Sequence, residues 1–308
     1  MSTTIFVCGA TGVQGGAIIK NLVASNLKAH AIARDLSSPS SQALKATPGV
    51  TLFPGDFDNA DSLRTAMKGC TGLFLNLMPN LADLTHELAQ AKRILAVAKE
   101  VGITHAVYSS GFVEGHENRP YWDPNSFVAK ILLSKQAVEA EVSSFGFERW
   151  TILRPGNFMT NYLAPYVQRM YSGLAEKAEV TTAFTPETVL PMMDPNDIGR
   201  FGVAAFLDPG RFHGEKVTIV SEMLGFKEMM KILSRSIDKE VKVTYMTPEE
   251  IDSQIGTNPF LAGQLVGRGM AACVDFEEVK AWGIPLGTFE QFLEREKERV
   301  KETFLHLI

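Results

Sequence analysis

The fold is decided by residues 5–16, whose sequence is Ile5-Phe6-Val7-Cys8-Gly9-Ala10-Thr11-Gly12-Val13-Gln14-Gly15-Gly16. Four apolar residues stand between Thr4 and Gly9, which is typical of a strand buried on both faces. Because glycine has no Cβ, Gly9 and Gly12 allow the chain to turn sharply and to approach a bulky anion. From Val13 onward, apolar residues recur at helical spacing. The stretch therefore predicts a strand, a glycine turn and a helix in direct succession.

The start of this helix predicts a phosphate-binding site. Free amide N–H groups at a helix N-terminus, together with the helix dipole, favour an anion. The spacing is G-x-x-G-x-x-G, whereas many dinucleotide-binding dehydrogenases have G-x-G-x-x-G, and either pattern also occurs in ordinary strand-to-helix turns. A strand before the turn and a helix after it favour a nucleotide. The predicted phosphate loop consists of Gly9, Thr11, Gly12, Val13, Gln14 and Gly15.

The composition argues against several classes of protein. Hydrophobic residues make up 45% of the 308 residues and charged residues 21%, as in ordinary globular proteins and unlike disordered chains. The formal net charge is −5 and no Lys/Arg stripe is visible, so direct nucleic-acid binding is not expected. The cysteines Cys8, Cys70 and Cys273 lie far apart and have no His nearby at ligand spacing. We therefore predict neither a disulfide framework nor a metal site.

The beginning of the sequence, Met-Ser-Thr-Thr, has no basic region, and the apolar run after it is too short to span a bilayer. Separated cysteines also suit a reducing compartment. The expected location is the cytoplasm, without a membrane segment.

Strand and helix patterns alternate through the first half of the chain, which implies a doubly wound parallel α/β sheet of the Rossmann type. The Rossmann domain is predicted over residues 1–158, with a returning segment at about 187–222. A smaller, mostly helical C-terminal domain is predicted over 159–186 and 223–308. The five strand patterns lie at 5–8, 29–33, 50–54, 72–77 and 105–109.

Beyond the fifth strand the pattern is less regular. Residues 110–125 contain Gly and Pro at intervals and are predicted to form a loop, a candidate lid, at the ligand-binding edge of the sheet. A helix is predicted over 126–145 and a sixth strand over 150–153. Another helix is predicted over 165–173, and one closing helix over 288–307.

Several further motifs accompany the glycine loop. They are Gly55-Asp56, Tyr108-Ser109-Ser110-Gly111, Lys135, Arg154-Pro155-Gly156-Asn157-Phe158 and Asp197-Ile198-Gly199. Taken together, these motifs resemble the NmrA-like proteins, an atypical branch of the short-chain dehydrogenase/reductase superfamily. The resemblance spans most of the chain and implies an NADP-binding Rossmann domain with a small C-terminal domain. It does not imply turnover by itself, because that family contains both reductases and nucleotide-sensing regulators.

The tip of the second strand bears on the choice of cofactor. A cation there suits the 2′-phosphate of NADP, whereas a carboxylate suits the ribose hydroxyl of NAD. Arg34 occupies this tip and favours NADP, with Ser37 and Ser38 as further donors. The neighbouring Asp35 would favour NAD if it faced the ribose instead.

The resemblance implies further cofactor contacts. Asp56 and Phe57 would border the adenine, and residues 77–79 would line the middle of the cofactor. The segment after the sixth strand would face the nicotinamide. The residues so assigned are Asp56, Phe57, Leu77, Met78, Pro79, Ser109, Lys135, Pro155, Asn157 and Phe158.

Active short-chain reductases usually combine a Ser after the fifth strand with a Tyr and, four residues later, a Lys. Residues four apart share a helix face, so the Lys can bind the nicotinamide ribose and lower the Tyr pKa. Here Ser109, Ser110 and Lys135 match that apparatus, but Ile131 occupies the Tyr position. An isoleucine cannot donate a proton, so the usual acid is missing.

Two functions stay open at this point. One is an NADPH-dependent reductase that passes hydride to a small conjugated, quinone-like or aromatic carbonyl substrate. The other is a non-catalytic NADP(H) sensor that acts through a protein partner, which the missing Tyr favours.

An aromatic- and methionine-rich set of side chains favours the reductase, because it predicts an apolar substrate pocket. The same side chains could equally belong to the core. The predicted substrate residues are Phe158, Met159, Tyr162, His116, Tyr121, Trp122 and Met193.

Overall fold

The computed structural model describes residues 3–80, 83–113, 115–119 and 122–307. Its strands are β1 Thr4–Val7, β2 Lys28–Ala33, β3 Val50–Pro54, β4 Gly72–Leu75, β5 His105–Ser109, β6 Arg149–Pro155, β7 Asn157–Phe158, β8 Glu179–Thr182, β9 Val189–Met193, β10 Lys216–Ile219, β11 Glu222–Gly225 and β12 Lys242–Tyr245.

The α-helices of the first two thirds of the chain are α1 Val13–Ala24, α2 Pro39–Lys45, α3 Ala60–Met67, α4 Thr85–Glu100, α5 Phe127–Ser144, α6 Val167–Met170, α7 Leu174–Lys177 and α8 Pro195–Leu207. The later ones are α9 Pro209–Phe212, α10 Phe226–Ser236, α11 Pro248–Gln254, α12 Pro259–Gly267, α13 Phe276–Ala281, α14 Phe289–Arg295 and α15 Lys297–Thr303. Short 3-10 turns lie at His116–Asn118, Met159–Tyr162 and Ala271–Cys273.

In the part of the chain that the structure describes, contacts divide the molecule into two compact units. Unit 1 comprises segments 1–113, 131–155 and 195–219, and unit 2 comprises 114–130, 156–194 and 220–308. The predicted domain boundaries differ in three ways. Segment 114–130 and residues 156–158 group with unit 2, and the returning segment of unit 1 is shorter than 187–222. The prediction could not resolve this difference, because β9 is apolar enough to suit either sheet.

Unit 1 is built on a parallel sheet in the order β10-β6-β5-β4-β1-β2-β3, seven strands among the described residues. Every neighbouring pair in it is parallel, for instance Ile5 opposite Ala29 and Phe6 opposite Leu73. The order reverses direction on the two sides of β1, as in doubly wound sheets, and the carboxyl ends of β1 and β4 therefore meet where such folds bind ligands. The predicted Rossmann fold is confirmed.

The two faces of this sheet are covered by different helices. A core of α3, α4 and α5 side chains covers one face and includes Leu63, Ile94 and Val138. On the other face α1 packs against α8, where Gly199 makes the close approach possible. A Cβ at Gly199 would lie 2.5 Å from the Ala17 carbonyl oxygen. The Asp197-Ile198-Gly199 motif thus has a packing role.

Unit 2 has two small sheets and a helical layer. Strands β11, β9 and β7 form one sheet and β12 pairs with β8 in the other, counting only described residues. Its core contains Tyr162, Tyr171, Phe226 and Phe289, all with at most 3% exposure. Within the described residues no helix is long and apolar enough to cross a membrane.

Two local predictions in unit 2 were wrong, and two strands were not predicted. The helix predicted over 165–173 is only the single turn α6, because the backbone leaves the helical region at Tyr171, whose φ and ψ are −138° and 68°. The closing helix is split into α14 and α15 at Glu296, whose φ and ψ are −94° and 20°. Strands β11 and β12 were not predicted, because their sequences lack the continuous apolar run that marks β1.

Candidate nucleotide-binding and active site

The glycine loop has the backbone that the sequence predicts. Gly9 adopts φ of +63°, and the Gly12 amide donates a 2.9 Å hydrogen bond to the Gly9 carbonyl. A Cβ at Gly15 would lie 2.2 Å from that same carbonyl oxygen, so only glycine fits there. Helix α1 begins at Val13, and Gly12 before it provides no side-chain cap. Its first amide groups are therefore available to an anion.

Beside this loop, unit 1 contains a pocket of about 440 Å³. That volume lies in the range of small-molecule sites. The pocket brings together residues from the ends of β1, β2, β3 and β4, as expected for a nucleotide at the switch point of the sheet. Its predicted lining residues are Gly9, Thr11, Arg34, Asp56, Phe57, Leu77 and Met78.

Arg34 and Asp35 are in different environments. Arg34 is exposed and lines the pocket, and among the described residues its guanidinium has no hydrogen-bond or ion-pair partner. The Asp35 carboxylate accepts hydrogen bonds from the Ser37 hydroxyl at 2.6 Å and the Ser37 amide at 2.8 Å, which lower its pKa. Ser38 caps α2 by accepting from the Ser41 amide. Asp35, Ser37 and Ser38 are thus engaged within their own turn.

The sequence interpretation missed a polar group on the far side of the pocket. The Asp58 carboxylate accepts from Arg93 at 2.9 Å and from Gln90 at 3.2 Å, and it lies 3.6 Å from His86. Helix α4 supplies these partners, because its first turns face the end of β3. No residue motif marks them. The polar pocket-lining residues missed are Asp58, Asn80, His86 and Gln90, and Ile32, Ala33 and Gly55 also line the pocket without having been assigned to it.

Ser109 and Ser110, at the end of β5, differ in their bonding. The fully buried Ser109 donates a 2.6 Å hydrogen bond to Oε1 of Gln14 in the glycine loop. The Ser110 hydroxyl is also buried but meets no hydrogen-bond partner among the described residues. Burial raises the pKa of the neighbouring Tyr108 well above its usual value, with a smaller contribution from the charges of Glu87 and Glu139. Tyr108 is therefore a neutral phenol.

Lys135 lies on α5, one turn after Ile131, and is buried. Its ammonium donates to the Leu77 carbonyl at 2.7 Å and to the carboxylate of Glu87. Glu87 is fully buried on α4, and its other oxygen accepts from Ser134 at 2.8 Å. Burial lowers the Lys135 pKa, and the Glu87 charge opposes that shift. The sequence signal for Glu87 was available: it is an acid on the apolar face of a helix.

The segment after β6 was predicted to face the nicotinamide. Pro155 ends β6 in unit 1, whereas Asn157 and Phe158 form β7 in unit 2 and are half-buried. The Asn157 amide donates to the Tyr162 hydroxyl at 3.2 Å. A Cβ at Gly156 would lie 2.3 Å from the Pro191 carbonyl oxygen, which explains the glycine of this motif.

Most predicted substrate residues are buried. Met159, Tyr162 and Met193 have no exposed surface, and Tyr162 stacks on Tyr171 with ring centroids 4.7 Å apart. In this structure they form core rather than an open pocket, which is the alternative that the sequence left open. Burial also raises the Tyr162 pKa well above its usual value.

Two of the predicted loop residues contact each other. His116 is buried and packs edge-on against Trp122, with ring centroids 4.5 Å apart. Tyr121 lies outside the described residues. Pro79 follows Met78 but is not among the residues that line the pocket. Within the described ranges, no group of His, Cys, Asp and Glu side chains is arranged to hold a metal ion.

Comparison with known proteins gives several matches. The NmrA-like family domain-containing oxidoreductase lnaB of Aspergillus flavus is 28% identical over 243 residues, which cover 73% of this chain and 70% of that protein. The NADPH-dependent quinone oxidoreductase QOR2 of Escherichia coli, solved with NADPH, has a TM-score of 0.72 at 19% identity, covering 94% of this chain and 99% of its own.

The negative transcriptional regulator NmrA, solved with NADP, has a TM-score of 0.68 at 22% identity, covering 100% of this chain and 92% of its own. At such identities the two solved structures show a shared fold and no more. The profile of the NmrA-like family matches residues 1–286. As its sequence motifs predict, the chain belongs to the NmrA-like family.

Proposed function

We propose that this protein is an NADPH-dependent oxidoreductase that reduces a small conjugated, quinone-like or aromatic carbonyl substrate. The observation that carries the proposal is the pocket beside the glycine loop, which presents the unpaired Arg34 while Asp35 is bonded within its own turn. A guanidinium recognises a 2′-phosphate with paired, charge-assisted hydrogen bonds. A carboxylate that faced the pocket would instead favour NAD.

In this proposal successive segments of the chain hold successive parts of the cofactor. The amide groups at the start of α1 bind the pyrophosphate, and Asp56 and Phe57 border the adenine. Leu77, Met78 and Pro79 line the middle, while Ser109 and Lys135 bind near the nicotinamide ribose. Pro155, Asn157 and Phe158 follow the sixth strand and are assigned to the nicotinamide. Segments 159–186 and 223–308 are assigned to the substrate, and the cytoplasm is the expected location.

The bound nicotinamide supplies a hydride, and the chain must then accommodate the charge that develops on the substrate. Ile131 cannot donate a proton. Tyr108 cannot replace the missing acid, because burial raises its pKa and makes the phenol a weaker proton donor. Lys135 is the cationic group on the same helix face, and the Ser110 hydroxyl meets no hydrogen-bond partner in the described part of the chain. Conjugated and quinone-like acceptors stabilise added charge themselves, so they suit a site without the usual acid.

The relatives support the oxidoreductase class. The lnaB protein is named an oxidoreductase, and QOR2 is named an NADPH-dependent quinone oxidoreductase. Both resemblances are distant, so the substrate class rests on the residues of this chain.

A non-catalytic NADP(H) sensor is the second candidate. Two observations favour it: Ile131 replaces the usual acid, and Met159, Tyr162 and Met193 are buried rather than lining a pocket. NmrA, which was solved with NADP, is named a negative transcriptional regulator. A sensor would bind NADP(H) and act through a protein partner without turnover.

The deciding experiment is NADPH oxidation with a panel of quinones, enones and aromatic ketones. We expect the unaltered protein to oxidise NADPH with at least one member of the panel. In Lys135→Ala the rate of NADPH oxidation should fall at least tenfold, because that variant lacks the cation proposed to lie near the nicotinamide. Lys130→Ala is the matched control, since Lys130 is exposed on the same helix. Tight NADPH binding with no turnover on the whole panel would favour the sensor.

A further inference from the structure

The Glu87 carboxylate is the most completely buried acid near the proposed site. It has no exposed surface, although Glu87 is the third residue of α4 and helix starts are often exposed. A buried carboxylate is costly unless it is paired and hydrogen-bonded. Here one oxygen accepts from the Lys135 ammonium and the other from the Ser134 hydroxyl at 2.8 Å. Two consecutive residues of α5 thus converge on one acid of α4.

Lys135 is held from two directions. Besides Glu87, its ammonium donates to the carbonyl of Leu77 at 2.7 Å. Leu77 itself lines the nucleotide pocket, so the Lys135 ammonium is fixed behind a wall of that pocket. Of the three N–H bonds of the ammonium, one is left without a partner among the described residues. That remaining donor is the one available to a ligand.

The pair also decides the charge of Lys135. Burial alone favours a neutral amine, and the negative charge of Glu87 counteracts this. In short-chain reductases a Tyr four residues earlier lies on the same helix face as the Lys. Here Ile131 takes that position and supplies no polar group. The charge of Lys135 therefore depends on Glu87 more than on its own helix.

We propose that Glu87 is the positioning residue of this site, and that it keeps Lys135 charged and aimed beside the nucleotide pocket. The Glu87–Lys135 pair then takes the place that a Tyr–Lys couple has in other short-chain reductases. This inference rests on the proposed role of Lys135 in NADPH binding and turnover. Ser134 is a secondary anchor, because it bonds the same carboxylate without carrying charge.

The test compares how NADPH affinity and turnover depend on pH in Glu87→Gln, Glu87→Asp, Ser134→Ala and Lys135→Ala. In Glu87→Gln the charged form of Lys135 loses its partner, so its pKa falls. The alkaline loss of NADPH affinity and activity should therefore move to lower pH by about one unit or more. Glu87→Asp keeps the charge but places it farther from Lys135, so it should move the profile in the same direction by less than Glu87→Gln does. Ser134→Ala should leave the profile in place.

A merely structural role would lower thermal stability without moving the pH profile. An unmoved profile in folded Glu87→Gln, alongside a clear loss in Lys135→Ala, would overturn the inference and leave the proposed function standing. If Lys135→Ala behaves like the unaltered protein at every pH, the proposed role of Lys135 fails and the inference fails with it. Should Glu87→Gln not fold, Glu87→Asp decides. Because the Asp side chain is shorter, its carboxylate lies farther from Lys135, and the pH profile should shift less but in the same direction. An unshifted profile in Glu87→Asp would count against the inference.

Discussion

The Ser109 hydroxyl donates a 2.6 Å hydrogen bond to Oε1 of Gln14, and this bond ties the end of β5 to the glycine loop. Ser109 is fully buried and Gln14 is half-buried, so the bond is largely shielded from water. A motif residue of the fifth strand thereby fixes the first turn of α1. The phosphate loop and the predicted catalytic serine consequently form one hydrogen-bonded unit.

We expect Gln14→Ala to destabilise the protein by about 1–3 kcal/mol, because it leaves a buried hydroxyl without an acceptor. Ser109→Ala should destabilise the protein less, because it removes the hydroxyl itself and leaves no buried donor without an acceptor. In the double variant the two losses should not add. Urea unfolding of the four proteins in the cycle measures this coupling, and losses that add to within about 0.5 kcal/mol would mean that the bond contributes nothing.

The two consecutive glycines of the loop provide a matched pair of variants. A Cβ at Gly15 would lie 2.2 Å from the Gly9 carbonyl oxygen, whereas one at Gly16 would lie 3.6 Å from the Ala10 carbonyl oxygen, its nearest neighbour outside the backbone of its own helix. Gly15→Ala should therefore displace the loop, cost about 1–3 kcal/mol or more, and weaken NADPH binding at least tenfold. Gly16→Ala should be neutral or stabilising by up to about 1 kcal/mol, since alanine favours a helix.

Thermal unfolding and NADPH titration of both variants check this pair. Equal effects from Gly15→Ala and Gly16→Ala would contradict the close approach of Gly9 and Gly15.

The cysteines should differ strongly in reactivity. Burial raises the pKa of Cys8 and of Cys70 to about 12, and both side chains are buried, whereas Cys273 is partly exposed. Because the thiolate is the reactive form, a raised pKa leaves almost none of it at about pH 8. Alkylation of the native protein should label Cys273 first. Peptide mass spectrometry measures the order, and complete labelling in urea is the control. Rapid labelling of Cys8 in the folded protein would argue that β1 opens readily.

The amino-terminal part of the fold could be predicted because local and global signals agree there. A buried strand, glycines required by close approach, and an amphipathic helix leave one solution for residues 5–24. Arg34 could be placed at the pocket for the same reason, since the end of β2 is fixed by its pairing with β1. The orientation of Asp35 could not, because it depends on a hydrogen bond to Ser37 within the turn.

The remaining differences come from tertiary contacts. Glu87 and Lys135 are 48 residues apart in sequence, and no period or motif relates them. Tyr162 has the composition of a pocket residue, but its stacking on Tyr171 places it in the core. The break at Glu296 lies within a stretch whose apolar spacing suits one continuous helix. For Glu87 and for Tyr162, the neighbour that decides the outcome lies outside the local sequence pattern.

Arg34→Ala should separate the two nicotinamide cofactors. The guanidinium has no partner among the described residues, so its removal should leave the fold intact and act on the ligand alone. Loss of charge-assisted hydrogen bonds to the 2′-phosphate should weaken NADPH binding by about 1.5–3 kcal/mol, or roughly 10- to 100-fold. NADH has no 2′-phosphate, so its affinity should stay the same.

Calorimetric titration of both cofactors measures these affinities, with Arg169→Ala as the control, since Arg169 is an exposed arginine of unit 2. Raising the salt concentration should weaken NADPH binding to the unaltered protein more than to Arg34→Ala, because screening acts on the charge pair that the variant lacks. Equal NADPH affinity in the two proteins would remove Arg34 from the site. Preference for NADPH would then have to come from His86 or another residue of the same pocket, which the corresponding His86→Ala titration would reveal.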